Sequence, residues 1–236
     1  MATAWSTEAV YQGALVDYLV SMARTVEGTV NRAIEALLNQ NERLASDIFL
    51  REPRVNEMEI VIDEYAVRMI RGRDLSDDDI RLVVATLKIN NDLERMGDLG
   101  VNFAHRVVSL AHMEKSETPS DLEPMATAVR AMVSKSLGAL IYKNAVLAGE
   151  VLESDDRVDQ YRDQIFERLH EEMTENPGRI GPDMQFVLAT RYLERIADHA
   201  TNIAEDIIFW VCGLDVRHGR GLNATTDPGA AGPGPS

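Results

Sequence analysis

Cysteine is almost missing from this 236-residue chain. Cys212 stands alone, so no intrachain disulfide can form and packing must hold the fold. A lone thiol near a helix end reads as a small buried apolar residue. Long apolar runs are missing too: none approaches the roughly 18 residues of a membrane-spanning helix. The N-terminus, Met1-Ala2-Thr3-Ala4-Trp5-Ser6-Thr7-Glu8, has no basic segment leading into an apolar one, so it does not read as a signal peptide. Positive charge is scarce, with 24 Lys and Arg against 39 Asp and Glu and a formal net charge of −15. That balance argues against nucleic acid as a partner and against unaided binding to anionic lipid. It suits cations or basic protein patches. These absences together describe a cytoplasmic protein.

What is present is helical periodicity, and nothing in the chain reads as a strand. Hydrophobic residues make up 45% and charged residues 27%, as in a globular protein with a proper core. Leu15, Leu19, Met22, Val26, Val30, Ala33 and Leu37 recur at spacings of three and four, predicting a first helix from Ser6 or Thr7 to about Leu38. Asn39-Gln40-Asn41 reads as a turn. Leu44, Ile48, Arg51, Val55, Met58, Ile62, Tyr65 and Met69 keep one phase across Pro53, which predicts a kinked helix rather than two. Ser76 can cap a third helix running to about Met113, with Asp77, Asp78 and Asp79 at its positive end.

After the polar linker Glu114–Ser120 the pattern restarts. Residues 122–150 read as helix. Leu147, Val151, Val158, Tyr161 and Ile165 repeat Leu44, Ile48, Val55, Met58 and Ile62 at an offset of 103 (44 to 147). Asn176-Pro177-Gly178 breaks the chain, and a last helix runs from Pro182 to Cys212, ended by Gly213. The fold class is therefore all-α: two tandem antiparallel three-helix bundles related by internal duplication. Their expected bounds are 1–116 and 117–218, each with its own core, followed by a Gly/Pro-rich tail, 219–236, that cannot bury a core.

The duplication is sharpest in two stretches. Leu93-Glu94-Arg95-Met96-Gly97-Asp98 and Leu193-Glu194-Arg195-Ile196-Ala197-Asp198 lie 100 residues apart (94 to 194), with Asn102 and Asn202 four residues further on. Four residues advance a helix by 400°, so Glu, Asp and Asn form one slowly drifting stripe. The stripe begins beside a buried seam, at Leu93 and Leu193, and crosses the open face. Carboxylates four apart on one helix repel, and a cation turns that repulsion into attraction. Oxygen-only ligands suit hard ions such as magnesium, manganese, calcium or ferric iron. One helix supplies too few ligands. Glu59-x-x-x-Asp63 on the preceding helix is the natural partner of Glu94 and Asp98, and Asp155-x-x-x-Asp159 of Glu194 and Asp198. The plain alternative is a solvated face balanced by arginine. His105 and His199, beside the stripes, are candidate auxiliary ligands or simply exposed. Glu167-x-x-His170 resembles one quarter of a di-iron carboxylate site, but its first-half equivalents are Glu64 and Val67. No nucleophile–base set, phosphate-cradling glycine loop or zinc spacing occurs. Gly97 and Gly100, inside a helix, read as sites of close helix packing.

The runs Leu93–Ala104 and Arg191–Glu205 resemble PhoU-type phosphate-uptake regulators. The motif Leu-Glu-Arg-x-x-Asp-x-x-x-Asn occurs twice at domain spacing, and the likeness extends from about Ser6 to His218. The resemblance implies a non-enzymatic negative regulator of phosphate uptake and phosphate-starvation signalling. It implies a homodimer whose partners are the ATPase subunit of the phosphate ABC transporter and a PhoR-type sensor histidine kinase, which would bring it to the membrane only through them. It also implies clusters of iron, zinc, manganese or magnesium on surface carboxylates: Glu59, Asp63, Glu94 and Asp98 in the first half, and Asp155, Asp159, Glu194 and Asp198 in the second. The chain departs from the pattern at Arg162 and Phe166, which occupy the places of Glu59 and Asp63 (offset 103). The alternatives are a carboxylate-bridged di-metal redox enzyme, whose site belongs in a bundle core, and a metal-free helical adaptor.

Overall fold

In the computed structural model, which describes residues 7–50, 52–71, 74–114 and 116–217, every regular element is a helix. The first half contains α1 (Thr7–Leu38), α2 (Glu42–Phe49), α3 (Glu52–Ile70) and α4 (Asp77–Ala111). The second repeats the order as α5 (Leu122–Tyr142), α6 (Ala145–Leu152), α7 (Asp155–Glu175) and α8 (Ile180–Cys212), with a 3-10 turn at Pro177–Arg179 before α8. The longest helices span about 50 Å. Each half is a three-helix bundle whose middle arm is split into a short and a long helix. Among the described residues, no helix is long and apolar enough to cross a membrane.

The seams do the packing. All seven seam residues of α1, from Leu15 to Leu37, are buried, as are Leu93, Met96, Gly100, Phe103, Val107 and Leu110 of α4. On α8 the seam is buried from Phe186 to Ile207 and opens only at Trp210. Cys212, one turn beyond the buried Ile208, is exposed rather than buried, because α8 there has outrun the core. Ser76 makes a full capping box with Asp79, and Gly213 ends α8 in the left-handed conformation at φ 69°.

Two boundaries differ from the sequence reading. The kinked second helix is two helices. α2 ends at Phe49 and α3 restarts at Glu52, because Pro53 lacks an amide hydrogen and fits a first turn rather than an interior. The common phase of Ile48 and Val55 survives because both halves of the broken arm pack on one core. Likewise 122–150 is not one helix. Lys143 turns left-handed at φ 49°, and the Asn144 side chain accepts hydrogen bonds from the amides of Val146 and Leu147 to start α6. The same device stands 103 residues earlier, with Gln40 at φ 47° and Asn41 accepting from the Leu44 amide. Arg51, the alternative helix start at Ser6 and the tail 219–236 lie outside the described residues.

The buried apolar side chains of both halves form one contiguous core, not two. Its largest internal joint is α4 against α8, which run antiparallel: Lys88 Nζ meets Asp206 Oδ1 at 2.7 Å, and Asp92 meets His199. The linker is fastened as well. Gln40 Nε2 donates to the Ser116 carbonyl at 2.7 Å, and Arg179 donates to both Ser116 Oγ and the fully buried Asp183.

Candidate metal centre and its relatives

Helices α3 and α4 bring Glu59 and Asp98 near Glu94, and set Asp63 against Asn90 one turn away. The bridge is Asn90, which is almost completely buried. Its Nδ2 donates to the Glu59 carbonyl at 3.1 Å and to Asp63 Oδ1 at 3.0 Å, pinning the two helices together. One turn further along α4, the Glu94 side chain is only 16% exposed, and Asp98 is 39% exposed. Burial pushes the Glu94 carboxyl above its ordinary range. The nearby Asp98 charge pushes the same way, as does Glu59 across the groove, while Arg95 opposes them. Arg95 is 54% exposed and reaches Glu94 at 3.4 Å and Asp98 at 3.8 Å, a rim pairing of little energetic weight. Asn90 Oδ1 is buried without a hydrogen-bond partner. An all-oxygen donor set around the half-buried Glu94, with an orphaned amide oxygen beside it, has the chemistry of a candidate hard-cation site. Among the described residues, no three His, Cys, Asp or Glu side chains are already drawn together tightly enough to hold an ion.

The second half assembles its acids differently. Asp155, Asp159, Glu194 and Asp198 are again neighbours. Asp198 is raised first by burial and then by Asp155, Glu194 and Asp159; Asp155 is raised by burial, against a hydrogen bond from Thr201 at 3.3 Å. Arg162 enters this group. Its Nη1 bonds Asp159 Oδ1 at 2.8 Å and also Glu194 Oε1, and its Nε bonds Asp163 Oδ1 at 2.9 Å. Where the first half has Asn90 and Asp63, the second has Thr190 and Phe166. The Thr190 hydroxyl turns back to the Phe186 carbonyl at 2.8 Å, leaving a cavity of about 280 Å³ instead of a polar bridge.

Sequence reasoning missed Asn90, although extending the four-residue stripe back one step from Glu94 reaches it. It also read Arg162 only as a lost ligand. His199 is not exposed: its Nδ1 lies 2.7 Å from Asp92 Oδ1 in the α4–α8 joint, where Asn202 also donates to Asp92 at 3.3 Å. No spacing within one helix reveals a contact made across two repeats. His105 is exposed and stacks on Phe49 at 4.5 Å between ring centres, and His170 is exposed on α7. Gly97 faces Val55 and Gly100 faces Thr29, the close helix packing expected of them.

A family model described as the PhoU domain matches residues 19–107 and 122–207, one match in each half. The phosphate-specific transport system accessory protein PhoU homolog of Pseudomonas aeruginosa is 36% identical over 204 residues, covering 85% of this chain and 84% of that protein. The homolog of the same description from Clostridium acetobutylicum is 31% identical, covering 84% of this chain and 91% of its own. The crystal structure of PhoU from Pseudomonas aeruginosa superimposes with a TM-score of 0.84 at 33% identity, over 86% of this chain and 98% of that one. The phosphate transport system regulatory protein PhoU from Streptococcus pneumoniae shares the fold, with a TM-score of 0.81 at 23% identity, over 89% of this chain and 99% of that one. With both repeats matched and relatives aligned over most of their length, the chain belongs to the PhoU family.

Proposed function

We propose that this chain is a regulatory accessory of phosphate uptake rather than a catalyst, and that it restrains uptake and phosphate-starvation signalling when phosphate is plentiful. The observation that carries this reading is family membership across both repeats, with relatives named as accessory proteins of the phosphate-specific transport system. It acts in the cytoplasm, as a homodimer, on the ATPase subunit of the phosphate ABC transporter and on a PhoR-type sensor kinase. The exposed Ile60, Val67 and Ile70 on α3 and the net charge of −15 support contact with protein partners carrying basic patches. Glu59, Asp63, Glu94 and Asp98 hold a hard metal ion such as iron, manganese or magnesium, with zinc as the softer candidate. Glu59 and Asp98 beside Glu94, and Asn90 holding α3 to α4 one turn away, support that assignment.

The placement of the acids counts against a di-metal redox enzyme. They flank the seam instead of lying in the bundle core, where such sites are built. Two measurements test the reading. Deleting the gene should raise phosphate-responsive transcripts in phosphate-replete medium; unchanged transcripts and unchanged uptake would refute the regulatory role. Elemental analysis of tag-free protein should find metal that is lost in the Glu94→Gln/Asp98→Asn double variant. Equal metal in both proteins would refute the first-repeat site.

A further inference from the structure

One stripe is repeated on the two long helices. Ile80, Val84, Leu87, Asn91, Glu94 and Asp98 follow spacings of 4, 3, 4, 3 and 4 along α4, and Ile180, Met184, Val187, Arg191, Glu194 and Asp198 follow the same spacings along α8. The stripe is apolar in its first half and acidic in its second. Core packing does not account for the apolar half: Ile80, Val84 and Leu87 are exposed, as are Ile180 and Met184. Val187 is nearly buried and lines the cavity of about 280 Å³ together with the exposed Phe166 of α7. In the first repeat the exposed Val67 of α3 comes beside Leu87, because the Asn90 bond to Asp63 and the approach of Gly97 to Val55 fix an antiparallel register. Helices α1 and α5 pack on each other and on α4 and α8 respectively, so they cover one side of the α4–α8 pair and the stripes run along the other. Because Lys88 meets Asp206, the acids lie toward the middle of that face and the apolar stretches toward its two ends. Val84 and Met184 stand about 40 Å apart along the helix axes.

We propose that this face is a duplicated docking surface for a protein partner, each repeat receiving one amphipathic helix. The partner's apolar ridge lies on Ile80–Leu87 or on Ile180–Val187, and its lysine or arginine reaches the exposed end of the stripe at Asp98 or Asp198. Leu87 and Asp98 are eleven residues apart, as are Val187 and Asp198. That is about 16 Å of helix, so the partner segment needs an apolar anchor and a cation about three turns apart. A contiguous apolar patch left open to solvent marks a contact site, and here two occur at equivalent places. Charge selects the occupant. A second copy of the same face would set acid against acid, and an anionic lipid surface would be repelled by the same carboxylates. A basic amphipathic protein segment satisfies both halves of the stripe. A partner that engages both repeats offers two such segments about 40 Å apart, as a two-fold symmetric protein does. The inference deepens the regulatory reading and rests on it for the partner's part in phosphate uptake, not for the surface.

The test places a photo-crosslinking amino acid at Val84, at Met184 or, as a control, at the exposed Tyr142 of α5, one per full-length chain, in cells grown with ample phosphate. Each adduct is mapped to the peptide it captures. The Val84 and Met184 chains should couple to the same partner protein, on a segment with apolar residues and a lysine or arginine about three turns along a helix. The Tyr142 chain should not. Ile80→Lys/Ile180→Lys, at exposed positions, should cut both adducts by about tenfold or more with the thermal midpoint unchanged. Asp98→Asn/Asp198→Asn, which keeps shape and removes charge, should cut them as well. Adducts confined to a second copy of the chain, or to lipid, overturn the inference. So do equal yields at Tyr142, an adduct from one repeat only, no adduct at all, or a folded Ile80→Lys/Ile180→Lys chain that couples as the wild type does. A partner outside phosphate uptake and its signalling, coupled at both positions, leaves this surface standing and counts against the regulatory role.

Discussion

Glu94 ties the chemistry of the site to pH. Its folded carboxyl titrates above the ordinary glutamate range because of burial, Asp98 and Glu59. An acid raised by folding holds its proton more tightly in the native state. Its stabilising contribution is therefore complete below the unfolded pKa of about 4.5 and is lost as pH rises through the raised folded value. Asp198, Asp155 and Asp206 are raised chiefly by burial and carry the same sign. Metal-free protein should thus lose stability from these groups as pH climbs out of the carboxylate range toward neutrality, and Glu94→Gln should flatten that slope. Metal-bound protein should do the opposite, since binding needs the ionised form and strengthens with pH. Denaturant melts at several pH values, with and without manganese, check both slopes; a variant slope as steep as the wild type would remove Glu94 from the account. At this scale the sequence was legible where spacing along one helix carried the information, as in Glu94-x-x-x-Asp98. It was not legible for Asn90's bridge to Asp63 or for His199 on Asp92, which depend on how separate helices face each other.

The helices themselves were largely readable, because a seam at spacings of three and four fixes which face is buried. The exceptions lie at backbone events that preserve phase. Pro53 ends one helix and starts another without shifting the buried face, and the Lys143-Asn144 turn does the same between α5 and α6. How closely the elements approach is set by glycine. A Cβ on Gly100 would lie 2.8 Å from Thr29 Cγ2 on α1, and one on Gly97 would lie 3.2 Å from Val55 Cγ1 on α3. Gly100→Ala should destabilise the protein by about 1–3 kcal/mol through overpacking, offset in part by better helix propensity. Gly97→Ala should cost less, because its neighbour needs to give by only a few tenths of an ångström. It should nonetheless move α3 away from α4, weakening the Asn90 bridge and with it metal retention. Calorimetry and metal content on the two variants separate these outcomes; a fully stable Gly100→Ala protein would mean that α1 and α4 have slack.

The whole molecule is a duplication closed on itself, and one contiguous core gives its halves a shared fate. Residues 1–116 alone should remain helical by circular dichroism but melt well below the intact chain, since α4 loses its largest partner, α8. Adding the 117–218 fragment should recover cooperativity. A first fragment as stable as the full chain would show that the α4–α8 joint contributes little. That joint is also lopsided. Applying the 100-residue offset to α8, two α4 helices from separate chains paired in the same register would set Lys88 against Arg106 and Asp92 against Leu99, where Asp206 and His199 now stand. Like charges opposed at an interface cost several kcal/mol, and a buried carboxylate deprived of its imidazole partner costs more again. Two copies of the chain that begin to fold side by side are thereby steered away from trading repeats. Each nascent first repeat is held for the second repeat of its own polypeptide, which leaves the ribosome after it.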